Sequence, residues 1–349
     1  MWQIIGQNRA VSLLQQSLEA GTLAHAYLLV GPTHVGKMTL AVSLAQALNC
    51  ETGERPCLEC PSCLKIASGG HADVSVIGLE RNEDAAEAKL IHIDQIKEVQ
   101  HSASLPPFEG NSKVFIIDWA ELLSIDAANC LLKTLEEPPE KVVFILLTNN
   151  DRLLPSTVVS RCQRVEMPPL PFSEVEAALT ERGIEAERAG LLARLSRGCP
   201  GWAISAAGDE SWFSRRDDEL EKMLGAVSGG YEERFEYAAR LATQFGQSRR
   251  LVYDVLDFWL DYWRDLMLVK TGCAGMITNI DRESGLAAMA GGYRLAQIKN
   301  SIESIRAAAV QLRKNVNPRL ALEVLMLDIP VKEGGNRANQ DIRTPVRNG

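Results

Sequence analysis

The chain has 349 residues, which exceeds the size of one ordinary hydrophobic core and predicts two or three domains. Hydrophobic residues make up 46% and charged residues 23%, a balance typical of globular proteins. The formal net charge of −8 excludes a strongly basic face as the default and argues against tight DNA binding by this chain alone. A local basic patch remains compatible with that charge.

The sequence shows no targeting or membrane segment. No apolar run approaches the roughly 18 to 20 residues of a membrane helix. The residues MWQIIGQNRA also lack the pattern of a signal peptide. We therefore expect a cytoplasmic protein without a membrane partner. In that compartment the eight cysteines are expected to be thiols or metal ligands, not disulfides.

In the first half of the chain, predicted helices alternate with predicted strands. The strands are short apolar runs, and the first of them leads into a glycine-rich loop. The predicted strands are residues 26–30, 74–77, 113–118, 142–147 and 163–167. The predicted helices cover residues 8–20, 37–49, 92–102 and 126–137. Such alternation is typical of an α/β domain with a doubly wound parallel sheet, here assigned to residues 1–168.

After the proline-rich segment 167–171 only helical patterns follow. We predict a small helical domain at residues 169–208 and a larger one at residues 209–330. The clearest helix of the larger domain is LVYDVLDFWLDYWRDLM, residues 251–267. Its apolar stripe is expected in a helix–helix core or, alternatively, against a partner helix. The polar end, residues 331–349, is predicted to be disordered.

Four of the eight cysteines lie within the segment CETGERPCLECPSC. Cys50, Cys57, Cys60 and Cys63 have the spacing C-x6-C-x2-C-x2-C, in which the short gaps let two sulfurs reach one ion from a tight turn. Four unrelated thiols in a loop are the alternative. We predict a closed, structural Zn²⁺ site that stabilises the local fold by on the order of 10 kcal/mol. The nearby His71 is expected to be a polar residue of the following loop.

The segment GPTHVGKMTL follows the first predicted strand and nearly fits the phosphate-loop pattern G-x-x-x-x-G-K-[ST]. Gly31, Gly36 and Lys37 match, so backbone N–H groups and a lysine charge could cradle the phosphates of ATP. Met38 stands where a hydroxyl residue normally helps to hold Mg²⁺. Thr39 does not obviously replace that residue, because one step along a helix turns the side chain by roughly 100°.

Asp118 ends the apolar strand VFIID and is predicted at the Walker B position, where a carboxylate approaches Mg²⁺. An aspartate that caps the following helix is the alternative. Trp119 follows where many ATPases carry a glutamate that polarises the attacking water, and an indole ring is no base. Met38 and Trp119 therefore argue against efficient hydrolysis at this site. Binding of ATP with Mg²⁺ stays open, because Lys37 and the loop glycines remain.

The ordered motifs of the chain carry a resemblance to a known family. They are WQIIGQ (2–7), LAHAYLLVGPTHVGK (23–37), the four-cysteine insert, KVFIID (113–118), ANCLLKTLEEPPE (128–140), SRC (160–162) and NPRLALEVLMLDI (317–329). Together they resemble the bacterial clamp-loader branch of the AAA+ proteins. The most specific matches are the cysteine insert and the stretch LLKTLEEPP. The resemblance covers about residues 2–165 and the last of these segments.

The resemblance implies a hetero-oligomeric loader, with motor (gamma/tau) and delta subunits, that opens a sliding clamp and closes it on primed DNA. It implies an ATPase-like sheet domain, a helical lid and a helical collar that joins the subunits. It also implies that Arg161 acts as an arginine finger in the ATP site of a neighbouring subunit, because planar guanidinium matches phosphate oxygens. An ordinary surface arginine is the alternative, and Cys162 is interpreted as a small buried residue.

Trp202 is a third departure from the motor members of this family, many of which carry an arginine at this point of the lid. We therefore expect a scaffold subunit that is neither a polymerase nor an efficient ATPase. An active motor ATPase of the same complex is the close alternative. A zinc-dependent DNA-binding module, from a different class of protein, is the third hypothesis and is disfavoured by the acidic net charge.

Overall fold

The computed structural model of the chain describes residues 2–79, 90–314 and 316–331. Nearly all of the segment predicted to be disordered, residues 332–349, lies outside the described residues. Within the described residues, no helix is long and apolar enough to cross a membrane.

The first of two compact units ends at Ser205 and is built on a five-stranded sheet in the order β2-β3-β4-β1-β5. The strands are β1 Ala26–Val30, β2 Val74–Ile77, β3 Lys113–Ile117, β4 Val142–Thr148 and β5 Gln163–Glu166. Every neighbouring pair is parallel, so the carboxyl ends of all strands lie at one edge of the sheet. The predicted parallel α/β sheet is confirmed.

Helices follow the strands in the predicted alternation. The first nine are α1 Asn8–Glu19, α2 Lys37–Asn49, α3 Pro61–Ala67, α4 Ile93–Ala103, α5 Ile125–Glu136, α6 Ser156–Val159, α7 Phe172–Thr180, α8 Ala186–Leu195 and α9 Pro200–Ala207. Of these, α1, α2, α4 and α5 lie within one residue of their predicted bounds. Helix α3 was not predicted. It begins with Pro61 at its first turn, and the Cys60 sulfur accepts a hydrogen bond from the backbone N–H of Cys63.

Both faces of the sheet are covered by apolar side chains. Tyr27 and Leu29 of β1 pack on one face with Leu40 of α2, whereas Leu28 packs on the other face with Ile96 of α4. This alternation follows from the two-residue period of a strand. Every residue of β4 is buried, as expected for a central strand of a parallel sheet. The sheet is therefore a packed support for the loops at its carboxyl edge.

The second compact unit begins at Ala206 and, in its described residues, contains helices and short helical turns but no strand. Its long helices are α10 Glu210–Ser228, α11 Tyr231–Gln247, α12 Arg249–Lys270, α13 Glu283–Ala290, α14 Leu295–Arg313 and α15 Pro318–Asp328. Trp259 and Trp263 of α12 are fully buried, and their rings pack against Tyr237 and Tyr293. The predicted helix–helix core is confirmed.

Arg234 of α11 is buried and holds the ends of two other helices. Its Nη1 atom donates to the carbonyl oxygens of Met326 at 2.8 Å and Ile329 at 2.6 Å, and its Nη2 atom donates to that of Val227 at 2.8 Å. These carbonyls belong to the ends of α15 and α10, where a helix has no internal partners for them. One guanidinium therefore links α10, α11 and α15.

We expect Arg234→Met to lower the free energy of unfolding of the helical unit by about 3 kcal/mol, because it leaves buried carbonyls without donors. Urea unfolding followed by tryptophan fluorescence measures the change. Arg240→Met on the same helix is the control. Its exposed guanidinium lies over the Tyr237 ring at 4.6 Å, a contact worth about 1 kcal/mol or less. Equal losses in the two variants would contradict this role of Arg234.

Candidate functional site

The phosphate loop lies between β1 and α2, at the carboxyl edge of the sheet. Gly31 has no room for a side chain, because a Cβ atom there would lie 2.3 Å from the Met167 carbonyl oxygen. Gly36 has a φ of +109°, in the left-handed region that favours glycine. The carbonyl of His34 accepts a hydrogen bond of 2.9 Å from the Gly201 N–H at the start of α9. The local backbone therefore explains both glycines of the motif.

Lys37 points back into its own loop. Its Nζ atom donates to the carbonyl oxygens of Gly31 at 2.5 Å and Pro32 at 2.8 Å, and to Asn149 Oδ1 at 2.8 Å. An ammonium group has three donors, so all of them have partners. The side chain is only 8% exposed. An incoming phosphate would have to take the place of at least one of these acceptors.

The charges around Lys37 partly offset the effect of its burial. Burial lowers the pKa of Lys37, while the charges of Glu121, Asp118 and Cys199 oppose that change. Burial likewise raises the pKa of Asp118, and Glu121 adds to the rise, whereas Lys37 opposes it. The site thus brings one lysine and two carboxyl groups together in a poorly solvated place.

Asp118 follows β3 directly, and its Oδ1 atom accepts a 3.0 Å hydrogen bond from the backbone N–H of Trp119. Trp119 has a φ of +54°, a left-handed conformation that is rare for a residue with a bulky side chain. In the described structure no side chain caps the helical turn Ala120–Leu122 that comes next. Asp118 therefore serves the tight turn after the strand and is not an ordinary helix cap.

Two polar residues of the site were missed in the sequence. Asn149 follows β4 and accepts from Lys37, and its own N–H donates to Glu121 Oε1 at 3.1 Å. The other oxygen of Glu121 is buried and has no hydrogen-bond partner in the described part of the chain. The available signal was an Asn after an apolar strand, since loops at this edge of a parallel sheet meet each other.

A cleft of about 330 Å³ joins these groups. Among the residues predicted to bind nucleotide, Gly36, Lys37, Thr39 and Asp118 line the cleft, whereas Gly31 contributes its carbonyl to Lys37. Met38 and Trp119 also line it, together with Glu121 and Asn149. The Met38 side chain packs partly against the core of the sheet and offers no hydroxyl. The cleft therefore brings the phosphate-loop residues and Asp118 together, with Met38 and Trp119 at the two positions that depart from the motifs.

Arg161 does not line that cleft. It follows the short helix α6, where its Nη2 atom lies 2.7 Å from Glu136 Oε1 and its Nη1 atom donates to the Thr157 carbonyl at 2.9 Å. About a third of the side chain remains exposed. The neighbouring Cys162 is half-buried, and burial raises its thiol pKa to about 12, so it stays protonated.

The four predicted zinc ligands converge. The sulfur atoms of Cys50, Cys57, Cys60 and Cys63 all lie within 4.8 Å of one another, and those of Cys57 and Cys63 are 4.0 Å apart. A tetrahedral Zn–S₄ centre with bonds of about 2.3 Å needs sulfur separations of about 3.8 Å. Hydrogen bonds from the N–H groups of Glu59 and Cys60 lower the pKa of the Cys57 thiol to about 6. The thiols therefore fit a metal ion such as zinc.

His71 lies outside this cysteine cluster. Its Nε2 atom is 3.2 Å from Ser62 Oγ, and its Nδ1 atom accepts from the Asp73 N–H at 3.1 Å. The Asp73 carboxylate in turn accepts hydrogen bonds from three successive backbone N–H groups, those of residues 108–110. The histidine is thus a buried polar residue in the loop after α3, as predicted. It links the cysteine module to the segment that precedes β3.

The order of strand, phosphate loop and helix, followed by an acidic residue after β3, defines a P-loop fold of the AAA+ type. A family model described as DNA polymerase III, delta subunit matches residues 6–171. The chain is 28% identical to DNA polymerase III subunit delta' of Bacillus subtilis, over 92% of this chain and 95% of that protein. With these matches, the chain is similar to subunits of DNA polymerase III over most of its length.

Subunits of another type match as well. Subunit tau of Bacillus subtilis is 28% identical over 93% of this chain, and the chain spans 60% of the length of that protein. Subunit tau of Escherichia coli is 36% identical over 66% of this chain and 36% of that protein. Sequence identity alone therefore does not separate the delta' and tau types. The residues of the cleft have to distinguish them.

We expect the purified chain to contain about one zinc ion per molecule and Cys60→Ser to lose most of it, because three thiolates leave the shell open. Metal analysis and the visible absorption of the cobalt-substituted protein measure occupancy. Cys273→Ser removes an exposed thiol far along the sequence and serves as the control. A metal-free wild-type chain, prepared without chelators, would contradict the assignment.

Proposed function

We propose that the chain is a delta'-type subunit of a DNA polymerase III clamp loader. In this role it is a scaffold with little hydrolysis of its own, and it supplies Arg161 as an arginine finger to the ATP site of a neighbouring subunit. Motor subunits of the gamma/tau type and a delta subunit are the proposed partners, with the sliding clamp and primed DNA reached through the complex. The structure of the chain's own cleft is the observation that carries this proposal.

The cleft lacks the groups that efficient ATP hydrolysis needs. Met38 has no hydroxyl for Mg²⁺, and Trp119 replaces a basic carboxylate beside Asp118. All three donors of the Lys37 ammonium are hydrogen-bonded to acceptors of the protein itself. The glycine loop thus keeps its shape with internal partners. The match along 95% of subunit delta', against 60% of subunit tau, agrees with this interpretation.

Unlike the buried Lys37, Arg161 is accessible from outside its own chain. Its guanidinium is partly exposed and always charged, and it bonds to a half-exposed carboxylate, a carbonyl and, at 3.4 Å, the Ser160 hydroxyl. Such surface ion pairs contribute about 0 to 1 kcal/mol, so an ATP phosphate on a neighbour could replace Glu136 at small cost. The group lies outside the cleft of its own chain, which suits a residue that acts in another subunit.

Helix α15 supports the proposed role of the helical unit as a collar. Leu320, Val324 and Leu327 are 57%, 44% and 53% exposed and recur at helical spacing on one face. On the other side, residues such as Leu322 and Leu325 are buried in the core of the unit. An apolar stripe on the exposed side of such a helix is typical of a surface that a partner covers. Helices of neighbouring subunits are the proposed cover.

An active motor ATPase is the second candidate, and one observation favours it. Glu121 places a second carboxylate in the cleft, and its Oε2 atom has no hydrogen-bond partner in the described structure. A carboxylate at this place can accept a proton from water, as the missing glutamate would.

We expect the assembled loader with Arg161→Ala to lose about tenfold or more of its clamp-dependent ATPase, because a finger supplied in trans is worth roughly 10³ to 10⁵ at the site it serves. Steady-state turnover and size-exclusion chromatography of the same samples measure activity and assembly. Arg164→Ala is the control, since this exposed arginine pairs with Asp151 close by in the sequence. A fully assembled Arg161→Ala loader with unchanged turnover would refute the proposal.

The isolated chain separates the two candidates. We expect no ATP turnover above background with Mg²⁺, and no change in Lys37→Ala, because the cleft lacks the metal and water groups. Release of phosphate at motor-like rates, abolished in Lys37→Ala and in Glu121→Gln, would instead establish the motor function. Tight DNA binding that chelation of zinc abolishes would favour the third hypothesis, the zinc-dependent DNA-binding module.

A further inference from the structure

Two segments of the helical unit carry positive charge only. Residues 238–253 and 304–322 contain no Asp or Glu, although the whole chain has a net charge of −8. Their cations are Arg240, Arg249, Arg250, Arg306, Arg313, Lys314 and Arg319. Acidic residues outnumber basic ones in the whole chain, so two segments without any acidic residue are local concentrations of positive charge.

Aromatic rings bring the two segments together. The Arg313 guanidinium at the end of α14 lies over the Tyr253 ring of α12, 5.5 Å from its centre. Tyr253 meets Phe245 of α11 edge to face at 5.9 Å, and the Arg249 guanidinium lies 5.5 Å from the centre of the Phe245 ring. The end of α11, the start of α12 and the end of α14 therefore share one surface. We name Arg249, Arg313 and Lys314 on this surface the basic end.

In the part of the chain that the structure describes, the cations of the basic end have no acidic partner. Among the described residues, no carboxylate lies within 4.0 Å of the charged groups of these three side chains, all of which are exposed. Other cations of the two segments differ. Arg319 bonds to Glu323 at 2.8 Å, and the charge of Arg250 acts on Asp254.

The rings also limit where the two guanidinium groups can point. Each guanidinium lies 5.5 Å from a ring centre and keeps N–H donors that can bind phosphate oxygens. Arg249 is moreover the first residue of the 22-residue helix α12, whose N-terminus adds partial positive charge. The aromatic rings thus position the two guanidinium groups in advance for binding a polyanion.

We propose that the basic end binds the phosphate backbone of a DNA strand. A strand is narrow and meets only the three cations, whereas an anionic membrane surface is extended and would also face the acidic remainder of the chain. The choice of DNA over an acidic protein segment rests on the proposed clamp-loader function. With about three phosphate contacts the binding is weak and not specific for sequence, so the contact adds to DNA affinity only within the complex.

Fluorescence anisotropy with a labelled oligo-dT of about 20 nucleotides tests the proposal on the full isolated chain. At low salt we expect weak binding whose logarithm falls with the logarithm of salt concentration with a slope of about −2, from roughly 0.7 per single-strand phosphate contact. The triple variant Arg249→Ala, Arg313→Ala, Lys314→Ala should lose about tenfold in affinity and most of this slope. Circular dichroism confirms that the variant is folded.

A matched triple variant controls for net charge. Arg9→Ala, Lys97→Ala, Lys299→Ala also removes three exposed cations and should change the affinity by less than about twofold. Equal losses in both triple variants, or no binding by the wild-type chain, would overturn the proposal. So would tighter binding to polyglutamate or to vesicles of anionic phospholipid than to the oligonucleotide.

The outcome is separable from that of the proposed function. The Arg161→Ala chain should bind the oligonucleotide like wild type, because Arg161 lies in the other compact unit. The ATPase of the loader could depend on Arg161 while the isolated chain shows no charge-dependent DNA binding. That result would refute the proposal for the basic end and leave the proposed function intact.

Discussion

The cleft depends on the contact of one buried ammonium, that of Lys37, with three oxygen atoms. Lys37 binds two carbonyls of its own loop and the side chain of Asn149 after β4. It therefore joins the loops that follow the neighbouring strands β1 and β4. Taking an ammonium out of water is costly unless all its donors have partners. The three hydrogen bonds of Lys37 therefore stabilise the loop. Lys37, the residue of the motif that usually contacts phosphate, here bonds to the protein itself.

Arg161 shows how differently a second cation is used in the same compact unit. Guanidinium is weakly hydrated and keeps its charge in any surroundings, and its fork of donors can exchange one oxygen pair for another. Glu136 and Thr157 bond to it and leave about a third of its side chain exposed. In the described structure, the three donors of Lys37 thus bond within the cleft, whereas the Arg161 guanidinium remains partly exposed outside it.

Much of the fold could be predicted, because apolar runs bounded by glycine or proline mark buried strands. Strands β1 and β2 and helix α2 have the predicted bounds, and the cysteine spacing indicated the cluster correctly. Helix α3 was missed since its seven residues are too few for a periodic pattern and lie among the cysteines. The roles of Asn149 and Glu121 could not be read locally. They meet Lys37 only because β4 lies between β1 and β3, and strand order is a property of the whole sheet.

Net charge proved a poor guide to local electrostatics for a similar reason. The value of −8 is an average over the chain, whereas the Debye length at physiological salt is only about 8 Å. A polyanion near the basic end therefore responds to the cations held by Phe245 and Tyr253 and hardly to distant carboxylates. The acidic remainder still matters, because it repels the same polyanion everywhere else. The basic end can thus attract a strand although the net charge of the chain is negative.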